Sequence, residues 1–283
     1  MSIRNFVPTL WSAKIFQELD KTHVLVPLAN RDYEGEITSY GDQVKINSIG
    51  DITVRNYAPN VTQITPQQLD AQQQVLEIDK AKYFAFYIDD VDNAQTKPKL
   101  MGEAMRKAAY ALADDADRYL AGFVSQAGPT VASTGANIAA SAGVLADVAR
   151  SLDERNVPSQ GRWMVIPPWF HQKLVLNQIY QTDGSVSADM AYRNGYVGRA
   201  FGFEIFLSNN LTTGTVIPAA TPAFCHSAMA GTSRAISFAN QVVKTEAYRP
   251  EDAFSDAVKG LHVYGAKVID PNALCRVNIA TSS

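Results

Sequence analysis

"EIDKAKYFAFYIDDVDNAQTKPKLMGEAMRKAAYALADDADRYLAGFVSQ", residues 77–126, sets an aromatic run against a long helical pattern, with three aspartates between them. The first part has strand composition. From 97 to 126, Met101, Met105, Ala108, Leu112, Ala116, Tyr119 and Phe123 recur at steps of four and three, the period of one helix face. At ~1.5 Å per residue such a helix is a rod of roughly 45 Å. Lys99, Glu103, Arg106, Lys107, Asp114 and Arg118 fall on the opposite side, expected to meet solvent or another subunit. Asp89, Asp90 and Asp92 have spacing that could hold a divalent metal or serve acid–base chemistry. No histidine or further carboxylate cluster lies nearby to complete a metal shell. Short acidic residues also turn the chain and favour the positive end of a helix, so these three are expected to be a joint.

Upstream lies a segment with little to bury. Residues 33–80 hold 17 hydrophobic residues out of 48, and none is Phe, Trp or Met. "GDQVKINSIGDITVRNY" (41–57) alternates at strand period, and "TQITPQQLDAQQQVLEIDK" (62–80) ends in a second alternating run. A lone hairpin is marginal in water. Strands of roughly 15 residues at ~3.3 Å each would reach about 50 Å from any core. A limb this long and lean is expected to take its order from another subunit. Before it, Trp11, Ile15, Phe16 and Leu19 predict a short amphipathic helix, and "THVLVPLANRD" (22–32) an extended run.

Downstream, "AGPTVASTGANIAASAG" (127–143) reads as a connection of small polar residues, and Ile138, Leu145, Val148 and Leu152 predict a helix to about 156, ahead of Pro158. "GRWMVIPPWFHQKLVLNQ" (161–178) reads as buried strand, Pro-Pro break and helix, followed by a Gly- and Ser-punctuated loop. "FGFEIFLSNNL", "AFCHSAMA", "QVVKTEAYR", "GLHVYGAKVI" and "LCRVNI" read as strands, whereas "EDAFSDAVKG" (251–260) has some helical spacing and stays open between the two.

The formal net charge of −3 disfavours a protein devoted to nucleic-acid binding. No stretch has the 18 or more apolar residues of a membrane span, and the N-terminus lacks a signal-peptide apolar region. There is no phosphate-loop, zinc-helix or nucleophile-elbow motif. Gly195, Gly198 and Gly202 do not form the dinucleotide fingerprint. His23, His171, His226 and His262 are scattered singly, where packing explains them as well as chemistry does. Cys225 and Cys275 lack metal-ligand spacing and read as buried thiols of a reducing compartment. "YRPED" (248–252) fits ion pairing or a binding site. No catalytic, metal or cofactor residues emerge.

The order of parts carries more than any motif. An arm, a long lean hairpin, "IDKAKYFAFYIDD", a long helix and a mixed domain closing in "GLHVYGAKVIDP" resemble tailed-bacteriophage major capsid proteins of the Hong Kong 97-type α+β fold. "DKTHVLVPLANRDYEGEI" (20–37) is a third phrase of the likeness. The resemblance implies an N-arm over 1–32 and an E-loop over 33–82 that lies across a neighbouring subunit. It implies a P-domain over 83–136 and 233–271, with its spine helix at about 97–126, and an A-domain over 137–232 and 272–283, whose loops near 181–198 face the capsomer centre. Hexamers and pentamers in an icosahedral shell around double-stranded DNA would follow. Other capsid subunits, scaffolding protein, portal and non-specifically contacted DNA would be partners, with assembly in the host cytoplasm and no catalysis. Subunit contacts are expected at Tyr33, Ile52, Arg55, Tyr57, Arg106, Arg118, Arg249, Glu251 and Asp252. An encapsulin-like compartment shell is the alternative. Lys45, Lys80 and Lys82, with Asn240, are the residue types that cross-link in some relatives, but nothing in the sequence brings them together.

Overall fold

Alternation across 41–57 and 62–80 builds two antiparallel strands, β1 (Gln43–Ile49) and β2 (Ala71–Glu77), in register from Gln43 opposite Glu77 to Ile49 opposite Ala71. The computed structural model describes residues 23–32, 43–49, 54, 56, 71–89, 100–133, 138–176, 196–211, 213–214, 225–250 and 255–280. The expected N-terminal helix and most of the 181–198 loop lie outside them. Among the described residues the hairpin pairs only with itself. Val44, Ile46, Leu76 and Ile78 are buried at its root, against Ala239 and Val263. Further out, Val54 is 93% exposed.

After Ile78 and Asp79 the chain enters β3 (Lys80–Asp89), the edge of a three-stranded antiparallel sheet ordered β10–β11–β3, with β10 at Ile236–Tyr248 and β11 at Ser255–Val268. The helix α1 (Leu100–Gly122) continues into a 3₁₀ turn, Phe123–Gln126. Even-numbered residues of β3 face α1: Phe84 and Phe86 pack with Met105, Ala109, Leu112, Ala113 and Val258. Gly260 leaves room for the Phe84 ring, which a Cβ there would meet at 2.3 Å.

The second sheet has seven strands in the order β4–β12–β9–β5–β7–β6, with β8 beside β9. These are β4 (Thr130–Ser133), β5 (Trp163–Ile166), β6 (Tyr196–Ala200), β7 (Phe203–Leu207), β8 (Thr213–Gly214), β9 (Cys225–Gly231) and β12 (Leu274–Ala280). The helices α2 (Ile138–Asp153) and α3 (Pro168–Leu176) contribute Val144, Leu145, Val148, Leu152, Phe170 and Leu174 to its core. β5 reads as four consecutive buried residues, "WMVI", as a central strand does. Two crossings join the sheets, residues 232–235 from β9 to β10 and 269–273 from β11 to β12. Ala235 O accepts from Ile269 N (2.9 Å) and Asp270 N (3.3 Å), and Ala273 O from Thr232 N (3.3 Å).

Two expectations are corrected and one open reading is settled. The small residues at 127–143 contain β4, which pairs parallel with β12 and so belongs to the larger sheet, not with the long helix. "EDAFSDAVKG" is strand from Ser255 on, because β11 is buried on both faces for much of its length and loses simple alternation. Residues 26–28 of the arm form a 3₁₀ turn instead of running extended, with Pro27 inside it.

β2 passes so close over β11 that only glycine fits at 265: a Cβ there would lie 2.2 Å from Glu77 O and 3.0 Å from the Ile78 Cα. Lys267 Nζ also donates to Val75 O (2.8 Å), and Gln74 Nε2 to Ile269 O (3.2 Å). Gly265→Ala is therefore expected to cost on the order of 1–3 kcal/mol, as overpacking against backbone does. Calorimetry checks this as a lowered Tm.

Candidate assembly surfaces

The arm is seated by a buried charge. Asp117 lies in the apolar stripe of α1, between Ala113 and Ala121, and is 3% exposed. Its carboxylate accepts from Val24 N (2.8 Å) and Leu25 N (3.2 Å), while Leu25, Val26 and Leu28 enter the core. Asn30 then bridges β10: its N–H donates to Ile236 O (2.8 Å) and its carbonyl accepts from Phe238 N (2.9 Å). The two backbone N–H donors satisfy the Asp117 oxygens, which lets an acid sit in this stripe.

Beside the clamp runs a polar seam between α1 and the three-stranded sheet. Tyr264 donates to Asp115 (2.5 Å) and Tyr119 to Asp79 (3.2 Å). Lys80 pairs with Asp79 (2.9 Å) and Lys82 with Asp115 (3.4 Å). Burial first, then the Asp79 charge, raises the Tyr119 hydroxyl to about 12, and burial with the Asp115 hydrogen bond raises Tyr264 as well. His23 and His262 are buried here; His23 Nδ1 lies 3.5 Å from the Asp117 carboxylate, and none of the four ring nitrogens makes a hydrogen bond among the described residues.

The far face of the same sheet is different. The register lines up Tyr87, Ala257 and Tyr248, then Ala85, Lys259 and Glu246, then Tyr83, Leu261 and Lys244. The hairpin root covers the end at Val263 and Ala257 is buried, but the flanking tyrosines are open: Tyr83 is 79% exposed and Tyr87 71%. Lys259 spans the centre, bonded to Glu246 (3.0 Å) and 5.1 Å above the Tyr248 ring. The outer side of α1 presents Glu103, Arg106, Lys107, Tyr110, Ala111 and Arg118, all exposed.

Of the residues expected at contacts, Arg106 and Arg118 lie on that side of α1, Arg118 paired with Asp114 (2.7 Å), and Arg249 is exposed just past β10. Tyr33, Ile52, Arg55, Tyr57, Glu251 and Asp252 are outside the described residues, as are Asp90 and Asp92. Asp89 ends β3, and no group of three or more potential metal ligands occurs among the described residues. Asn240 is buried at 4% exposure. Cys275 is a buried free thiol that burial raises to about 11. Sequence reasoning missed Asp117 and the tyrosine face. A charge inside an apolar stripe and the Tyr-out, Phe-in alternation of 83–87 were the available signals.

A family model described as "Phage capsid protein" matches residues 72–277. The chain belongs to this family. It is a major capsid protein, a component of the phage shell. A solved structure from Mycobacterium phage Che8 is similar over 90% of each chain at 27% identity, with a TM-score of 0.70. The capsid of cyanophage P-SCSP1u matches 94% of this chain and 88% of its own at 20% identity and TM-score 0.66. A virus-like particle from Pyrococcus furiosus shares the fold, at 13% identity and TM-score 0.58 over 97% and 100%. No curated protein matches the sequence. The family match favours the phage shell over the compartment, and the mixed α+β architecture of the capsid protein is the Hong Kong 97-type one.

His262 gives the capsid protein an acid limb. Burial, followed by the nearby His23, pushes it down to about 4, against a weaker upward pull from Asp115. The folded ring stays neutral where the unfolded chain takes a proton, so its contribution is complete above about 6.5 and is lost as pH falls to about 4. The loss amounts to on the order of 3 kcal/mol. Urea titrations between pH 7 and 4 check this: His262→Phe should flatten the decline relative to the parent chain.

Proposed function

We propose that this capsid protein assembles into hexamers and pentamers of an icosahedral shell enclosing double-stranded DNA, and that the hairpin of one subunit lies on the tyrosine face of the next. In this reading residues 1–32 act as the N-arm and 33–82 as the E-loop. The three-stranded sheet with α1 acts as the P-domain, and the larger sheet, from β4 onward and including β12, as the A-domain. Scaffolding and portal proteins are its partners during assembly in the host cytoplasm, DNA is contacted without sequence preference, and no reaction is catalysed.

One observation carries the reading. The sheet that holds the hairpin by its root also leaves an aromatic surface bare on the same side. Exposed aromatics of this kind are what subunit contacts are rich in. A glutamine-bearing hairpin brings backbone and amide donors to tyrosine hydroxyls and rings, and Arg106, Arg118 and Arg249 add charge at the margins. Tyr33, Ile52, Arg55, Tyr57, Glu251 and Asp252 are further contact residues in the same proposal.

Two experiments test it. Replacing residues 40–75 by a short linker should leave a folded, soluble subunit that forms no shells by electron microscopy. Shells from this variant would contradict the hairpin's role. Tyr83→Ser/Tyr87→Ser should cut shell yield about tenfold or more, as loss of aromatic interface anchors does, while Tm is kept because both side chains face solvent in the subunit.

A further inference from the structure

The two crossings between the sheets enclose a pocket that neither the arm, the hairpin nor the tyrosine face uses. Its volume is ≈ 170 Å³, the size for a single small ion rather than a drug-sized ligand at roughly 300–1,000 Å³. Arg155 and Asn156 line it from the turn after α2, Thr232 and Arg234 from the first crossing, and Asp270 and Asn272 from the second.

The chemistry of the lining selects for charge. Two guanidinium groups face one carboxylate, and that carboxylate is engaged: Asp270 accepts from Asn272 N at 3.0 Å. Arg155 is steadied by Nη1 bonds to Ser151 O (2.8 Å) and Oγ (3.1 Å), which leaves other N–H groups of its fork unassigned to them. Arg234 is exposed and forms no hydrogen bond or ion pair among the described residues. Thr232 is 5% exposed, and its hydroxyl has no partner among the described residues. A buried hydroxyl without a partner is a cost that a bound acceptor removes. The amides of Asn156 and Asn272 add donors.

We infer that this pocket is an oxyanion site, taking one phosphate- or carboxylate-sized anion between Arg155, Arg234 and Thr232. An anion held there ties the end of α2, which packs on the larger sheet, to the crossing that leads into the smaller one. It therefore stiffens the connection between them. A free phosphate ion and a carboxylate from an adjacent copy present the same chemistry, and they differ in whether a lone subunit binds its ligand.

Calorimetric titration of the full-length, unassembled subunit with inorganic phosphate, against chloride at equal ionic strength, separates these sources. Saturable binding weakened about tenfold or more by Arg234→Gln and by Thr232→Val, with unliganded Tm retained in both, identifies a free-ion site; the fold-change is that of losing one charge-assisted bond. This arm does not depend on assembly. If the subunit does not bind phosphate, but Arg234→Gln lowers the salt concentration at which assembled shells come apart, the occupant is a neighbour's carboxylate. The inference is overturned if phosphate binds the two variants as it binds the parent chain. It is equally overturned if phosphate does not bind and shell dissociation by salt is unchanged.

Discussion

The structure depends on how little the hairpin β1–β2 has to hold. Four aliphatic side chains, Val44, Ile46, Leu76 and Ile78, root it against Ala239 and Val263. Beyond that root the ladder is a two-stranded ribbon, and such a ribbon gains too little burial to offset the backbone entropy of ordering it. On the proposed reading, the missing surface comes from a neighbouring copy. The bare tyrosines on the same sheet are surface of that kind, present once per copy.

The body that carries the limb is built the opposite way. One core cluster runs from the seven-stranded sheet through the second half of α1 to Phe238, Tyr264 and Val268 of the smaller sheet. Asp117 draws the arm into that cluster by two backbone hydrogen bonds, and the Tyr264–Asp115 and Tyr119–Asp79 bonds fix α1 along the sheet. Truncating a buried charge of this sort leaves its donors unsatisfied, so the arm and the helix are held as one piece. At Gly265 β2 lies directly on β11, which seats the root of the hairpin on this body.

Much of this was legible in the chain, and the reasons are local. The steps of four and three in α1 and the aromatic alternation in β3 are strong periodic signals, and the poverty of 33–80 is visible in composition alone. Legibility failed where local signal and tertiary use diverge. β4 is four small residues whose strand state exists only because β12 pairs with it. β11 hides its period because both faces are covered. Asp117 sat in plain view as a charge at an apolar position, yet its partners are more than ninety residues away. The pocket joins Arg155 to Thr232 and Arg234, two segments that nothing in the sequence brings together.

Hydrogen exchange on the outer rungs of the hairpin, residues 47–49 and 71–73, measured in isolated subunits and in assembled shells, tests the central claim most directly. Amide exchange there should be fast in the subunit and slowed by orders of magnitude in the shell, while Val44, Ile46 and Leu76 stay protected in both. Equal protection of the outer rungs in the two states would mean that the hairpin orders itself, and the account would be wrong.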